Sequence, residues 1–109
     1  MTDALADRCS ALGGIVVDLM RVTMEAQSDA GRLAAVATQA RAMRGIVEQG
    51  SDGITDQAYL GWHAEAPTTL DEMITAADRG DAPAAWRAFT HPTRGMAALG
   101  QACLGQPGW

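Results

Sequence analysis

His91, Arg94 and Gly95 stand together in FTHPTRGMAALG (residues 89–100), and their types and spacing suggest chemistry most directly. An imidazole nitrogen can accept a phosphoryl group, a guanidinium one turn further on can hold phosphate oxygens, and a glycine at i+4 removes a side chain that would crowd an incoming protein. Counted from Phe89 on the apolar seam, His91 lies about 200° around a helix of ~3.6 residues per turn, which turns it to solvent. The pattern makes His91 a candidate phosphoacceptor, with Arg94 and Gly95 as its supports.

A second set of residues has the chemistry of ligands. Cys9, Met43, His63 and Met96 fall on apolar seams and are soft or borderline donors of the kind haem iron or copper takes. At about 1.5 Å rise per residue they would share a layer of an antiparallel bundle. Each also has a plain packing role: Met fills core gaps, Cys behaves as a small hydrophobe, and a seam histidine is usually hydrogen-bonded. Catalytic constellations are otherwise missing. Asp71 and Glu72 are adjacent and so diverge on a helix, neither cysteine has a nearby histidine in sequence, and there is no Gly-rich phosphate loop or nucleophile elbow. An autonomous enzyme is not expected. Trp62, Trp86 and Trp109 serve either as core filler or, where exposed, as interaction hot spots.

The elements that must position these residues read as helices. Leu5, Cys9, Leu12, Val16, Leu19, Thr23 and Ala26 keep an alternating four–three spacing over residues 3–27, one face of a helix through Gly13 and Gly14. A second helix opens at Ser28 or Asp29 and carries Leu33, Val36, Ala40, Met43 and Val47 up to Gly50. A third, capped by Thr55, carries Tyr59, His63, Ala66, Leu70, Met73 and Ala77. Pro67 interrupts it, and Thr69 with Glu72 offers a new capping box, so it is expected kinked or split. A fourth begins at Gly80–Asp81 with Ala85, Phe89, Met96, Leu99 and Cys103 in register, and Pro92 kinks or restarts it. The tail LGQPGW is expected to fray. The pattern predicts a single all-α domain over residues 1–109, an antiparallel up-down-up-down four-helix bundle with helices 3 and 4 kinked or split near Pro67 and Pro92.

Composition narrows the partners. With 48 % hydrophobic residues the 109-residue chain has material for one modest core, and its net charge of −5 disfavours nucleic acid and anionic membranes, leaving a basic or neutral protein as the better partner. All eight basic residues are Arg, to which no function is assigned. The N-terminus has neither the basic stretch and cleavage site of a signal peptide nor the uncharged length of a membrane span. Two cysteines without CxxC spacing suggest reduced, unpaired thiols in a cytoplasmic protein, a Cys9–Cys103 bridge being the alternative in an oxidising compartment.

Residues 60–100 resemble the central hairpin of histidine-phosphotransfer domains, whose phosphorylated residue sits in H-x-x-[K/R]-G. His91, Arg94 and Gly95 match that pattern, and LGWHAEAPTTLDEMITAADRGDAPAAW is similar to the helix before it. The resemblance implies a signalling adaptor with His91 as phosphoacceptor, Arg94 as phosphate stabiliser, Gly95 as the gap that admits a receiver domain, and no cofactor. Thr93 and Pro92 depart from the apolar residue and the proline-free helix usual there. GDAPAAWRAF and ALGQAC are also similar to the last helix of cytochrome c-prime and b-type four-helix-bundle cytochromes. That resemblance implies haem or copper in the Cys9, Met43, His63 and Met96 layer, but CLGQP replaces CxxCH and excludes covalent haem. The resulting expectation is a small acidic interaction module, most specifically a phosphotransfer adaptor. The alternatives are a haem- or metal-binding bundle, or an inhibitor or immunity-type binding protein without site chemistry, acting alone or as a homodimer.

Overall fold

The computed structural model describes residues 4–109 and contains five α-helices, α1 (Ala4–Ala26), α2 (Leu33–Val47), α3 (Gln57–Asp78), α4 (Ala82–Phe89) and α5 (Met96–Ala102), with a 3-10 turn at Ala30–Arg32. No strand occurs among the described residues. None of these helices is long and apolar enough to cross a membrane. α1 packs on α2 and α4, and α3 packs on α2, α4 and α5.

The apolar seams form the core. All seven α1 seam residues are buried, as are Leu33, Val36, Ala40, Met43 and Val47 on α2, while His63 and Ala77 on α3 are only half-buried. Trp62 and Tyr59 are the largest fully buried side chains of the core. Ile54, from the loop between α2 and α3, closes one end of this cluster.

Helix ends follow local chemistry, with some corrections. The carboxylate of Asp29 accepts from the Gly31 amide and caps the 3-10 turn rather than α2 itself. α3 is capped by Asp56, which accepts from the Tyr59 amide, not by Thr55. α4 is capped by Asp81, which accepts from the Ala84 amide. Gly50 and Gly80, at φ of +88° and +73°, end α2 and α3 in the left-handed conformation that glycine adopts without a Cβ penalty.

Pro67 does not split α3, which runs unbroken from Gln57 to Asp78. A proline removes one hydrogen bond from a helix interior at a cost of about 3 kcal/mol, and the burial of Ala66, Leu70 and Met73 on either side offsets it. Thr69 consequently caps nothing. It sits fully buried in mid-helix and its hydroxyl donates to the Arg94 carbonyl at 2.9 Å. The fourth segment does split: α4 stops at Phe89 and α5 restarts at Met96, so the described residues form five α-helices where four were expected.

Covalent and hydrogen bonds fasten α1 to the C-terminal tail. Cys9 and Cys103 form a disulfide, which overturns the expectation of unpaired, reduced thiols; their seam positions bring the Cα atoms to 5.7 Å, within bridging reach. The tail does not fray as expected. The Trp109 indole lies over Gly13, where a Cβ would stand 3.4 Å from Nε1, and donates to the Cys9 carbonyl at 2.7 Å.

Candidate functional site

Two grooves flank the corner where α4 gives way to α5, and His91 lies on the rim of the larger. On α3, Thr68, Asp71, Glu72, Thr75, Ala76 and Arg79 follow helical spacing and line one wall. The other wall is formed by Ala84, Arg87 and Ala88 of α4 and by His91 from the turn after it, with Arg94 at the end. The groove between them measures about 580 Å³. Its two carboxylates diverge: Asp71 takes a two-pronged ion pair from Arg44 of α2, with Nε at 2.7 Å, while Glu72 pairs with Arg94 at 2.9 Å. The Asp71 carboxylate, through hydrogen bond and charge, raises the Arg44 pKa above its ordinary value.

His91 is half-buried, and Nδ1 accepts from the backbone amides of Thr93 and Arg94, each at 3.3 Å. These bonds take the Nδ1 lone pair. In the neutral ring the proton then resides on Nε2, which becomes a donor. A phosphoryl acceptor must attack through its unprotonated nitrogen, and here that nitrogen faces two amides. His91 therefore acts as a cap on the turn that follows α4. Arg94 is tied to Glu72 through its side chain and to Thr69 through its carbonyl.

Gly95 is required by the turn itself. A Cβ there would stand 2.5 Å from the carbonyl oxygens of both Phe89 and His91, so the missing side chain makes room for the chain's own backbone. Its φ of −84° is ordinary; close backbone approach, not handedness, requires glycine.

The second set of residues loses one of its four expected donors. The Cys9 sulfur is spent in the disulfide and has no thiolate to offer. His63 Nε2 stands 3.0 Å from the Val47 carbonyl, which can only accept, so this nitrogen donates. With Arg8, which donates to the Ile46 and Gly50 carbonyls, His63 satisfies the C-terminal end of α2. Met43 and Met96 are buried core residues. Cys9 is thus lost to the expected donor set, while His63 Nδ1 and the two methionine sulfurs keep their lone pairs; no cluster of three or more His, Cys, Asp or Glu residues that could hold a metal ion occurs among the described residues. Beside His63, the Tyr59 phenol is pushed above its ordinary pKa by burial, an effect that nearby Arg8 partly opposes.

The smaller groove, about 280 Å³, is apolar and lies between α1 and the α4–α5 corner, lined by Val16, Val17, Met20, Phe89, Met96 and Ala97. Beside it Val17, Met20 and Met24 are 56, 40 and 53 % exposed. They repeat at i, i+3 and i+7, a second apolar stripe on α1 offset from the buried one. Sequence reasoning followed the longer seam and missed this stripe, although the spacing is plain in VVDLMRVTM (residues 16–24). Arg79 and Arg87 were missed because Arg94 was the one arginine read for function, on the strength of its place in the His91 motif. Compared with known proteins, the chain matches no family model, no curated protein and no solved structure.

Proposed function

We propose that this protein is a non-enzymatic binding module, an antiparallel bundle whose fourth position is filled by α4 and α5 together, and that it docks an amphipathic helix of a partner protein on the exposed side of α1. One observation carries this reading: Val17, Met20 and Met24 leave a row of large apolar side chains in water beside a groove floored by Phe89 and Met96. Scattered exposed apolar residues need no explanation, but a periodic row beside an apolar cleft marks a contact surface. Methionines adapt their shape to a docked chain. Asp18 and Glu25 beside the row are paired with Arg21, so the charge preference rests on the chain's net charge of −5, which favours a partner helix with a neutral or basic polar face. The disulfide favours an oxidising compartment over the cytoplasm.

The test uses two synthetic amphipathic helices with the same leucine face, one with lysine and one with glutamate on the polar face. The lysine helix is expected to bind saturably, and Met20→Asp to weaken it by about tenfold, ~1.4 kcal/mol. That substitution adds negative charge, so attraction by charge alone would strengthen the complex instead. Binding that Met20→Asp leaves intact removes α1 from the reading. A dimer in sedimentation that Met20→Asp dissolves gives the face to a second copy. Acid-labile phosphate taken up from a phosphorylated receiver domain, and lost in His91→Gln, would restore the phosphotransfer adaptor.

A further inference from the structure

The larger groove is built from donors. Packed helices normally meet through apolar side chains, yet α3 and α4 turn polar stripes toward each other across a floor of Ala76, Ala84 and Ala88. Two of the groove's three guanidiniums, Arg79 and Arg87, keep their charge available. Among the described residues Arg87 makes no ion pair or side-chain hydrogen bond, and Arg79 reaches only Asp81, at 3.9 Å. The carboxylates that could neutralise them are engaged elsewhere, Asp71 by Arg44 and Glu72 by Arg94. Its Nδ1 committed to the backbone, His91 has only the Nε2 proton to offer. Thr68 and Thr75 add hydroxyls on the facing wall.

We propose that this groove binds a small organic phosphate as its dianion, with Arg79, Arg87 and His91 Nε2–H on the phosphate oxygens and the organic part on the alanine floor. Arg87 carries an uncompensated charge and Arg79 one that only Asp81, at 3.9 Å, opposes, and two guanidinium forks suit the several oxygens of a phosphate better than the two of a carboxylate. The volume of about 580 Å³ falls in the range of small-molecule sites. The phosphate is held without covalent change, because the ring nitrogen free to face it is a donor. This inference is independent of the helix-docking surface on α1, and neither stands or falls with the other.

The experiment is an amide chemical-shift titration with phenyl phosphate at fixed ionic strength, repeated with benzoate and with chloride. Phenyl phosphate is expected to give saturable shifts along both stripes, residues 68–79 and 84–91, and benzoate to bind more weakly. Arg79→Gln and Arg87→Gln should each raise Kd by about tenfold, the scale of a lost charge-assisted hydrogen bond, while Arg87→Lys retains part of the affinity. Both side chains are exposed, so the variants should keep the helical spectrum of the parent. Shifts that fail to saturate, shifts reproduced by chloride, benzoate binding as tightly as phenyl phosphate, or a Kd unmoved in the double Arg79→Gln/Arg87→Gln variant would each overturn the proposal.

Discussion

The two grooves beside the α4–α5 corner are separated by a single residue step, Ala88 lining the polar one and Phe89 the apolar one, yet they are built on different logic. The polar groove has a small-residue floor and long charged walls, so its character comes from what surrounds an empty seam. The apolar groove has large residues in its floor, and its character comes from what α1 leaves uncovered. The turn at residues 90–95 joins them: it ends α4, restarts α5, and carries His91 and Arg94 to one side and Met96 to the other. Each groove can therefore be altered through its own walls, or both together through the turn.

The largest effect is expected from the disulfide, which belongs to the apolar side because it fastens α1 to the end of α5. It closes a loop of 94 residues, so the Cys9→Ser/Cys103→Ser pair should lose about 4 kcal/mol of unfolding free energy, read by denaturant titration. The α1 surface should loosen and bind a hydrophobic dye, while the α3–α4 stripes keep their phenyl phosphate response. Parallel loss of both would mean that the grooves are one cooperative unit.

Gly95→Ala strikes the shared turn. Its Cβ meets two backbone oxygens that cannot rotate away, so a loss of about 2–3 kcal/mol is expected, with changed amide shifts around both grooves. Thr69→Val then separates them again. It removes the buried hydroxyl that holds the Arg94 carbonyl, at about 1–3 kcal/mol in thermal unfolding, and should disturb the polar rim while leaving the Met20 surface unchanged.

These residues also mark how far the sequence could be read. Apolar spacing located the core because burial imposes a period of about 3.6 on any helix packed on one side. That is why Leu12, Val36 and Leu70 were placed correctly from letters alone. A split at Pro67 and a cap at Thr69 were misreadings, because local propensity argues for a break and a new cap, whereas packing on both sides of Pro67 keeps the helix continuous. Cys9 and Cys103 were legible as seam residues, but their bond depends on two distant helices meeting at one height. His91 and Gly95 were legible as a motif, not as a geometry. The pattern H-x-x-R-G describes an exposed helical face equally well as a turn closed on Nδ1, and only the backbone path after Pro92 distinguishes them. The grooves were the least legible, since they arise from stripes that the seam analysis set aside as solvent-facing.

The smallest effect tests whether the interior is independent of both grooves. Tyr59 is fully buried, and its Oη has no hydrogen-bond partner among the described residues. Tyr59→Phe should therefore change stability at pH 7 by less than about 1 kcal/mol, because no bond is lost and a polar atom is removed. The pH dependence is more telling. Burial raises the phenol's pKa above 10.0 in the folded chain, so the folded state holds this proton more tightly than the unfolded state does. The associated stability is present below pH 10.0 and is lost as pH rises through the folded value. Unfolding measured from pH 8 upward should thus show an alkaline decline that is reduced in Tyr59→Phe. Binding at either groove at pH 7 should be the same in both proteins, since the phenol is neutral there and lines neither site; a change at one groove alone would reveal which surface the interior supports.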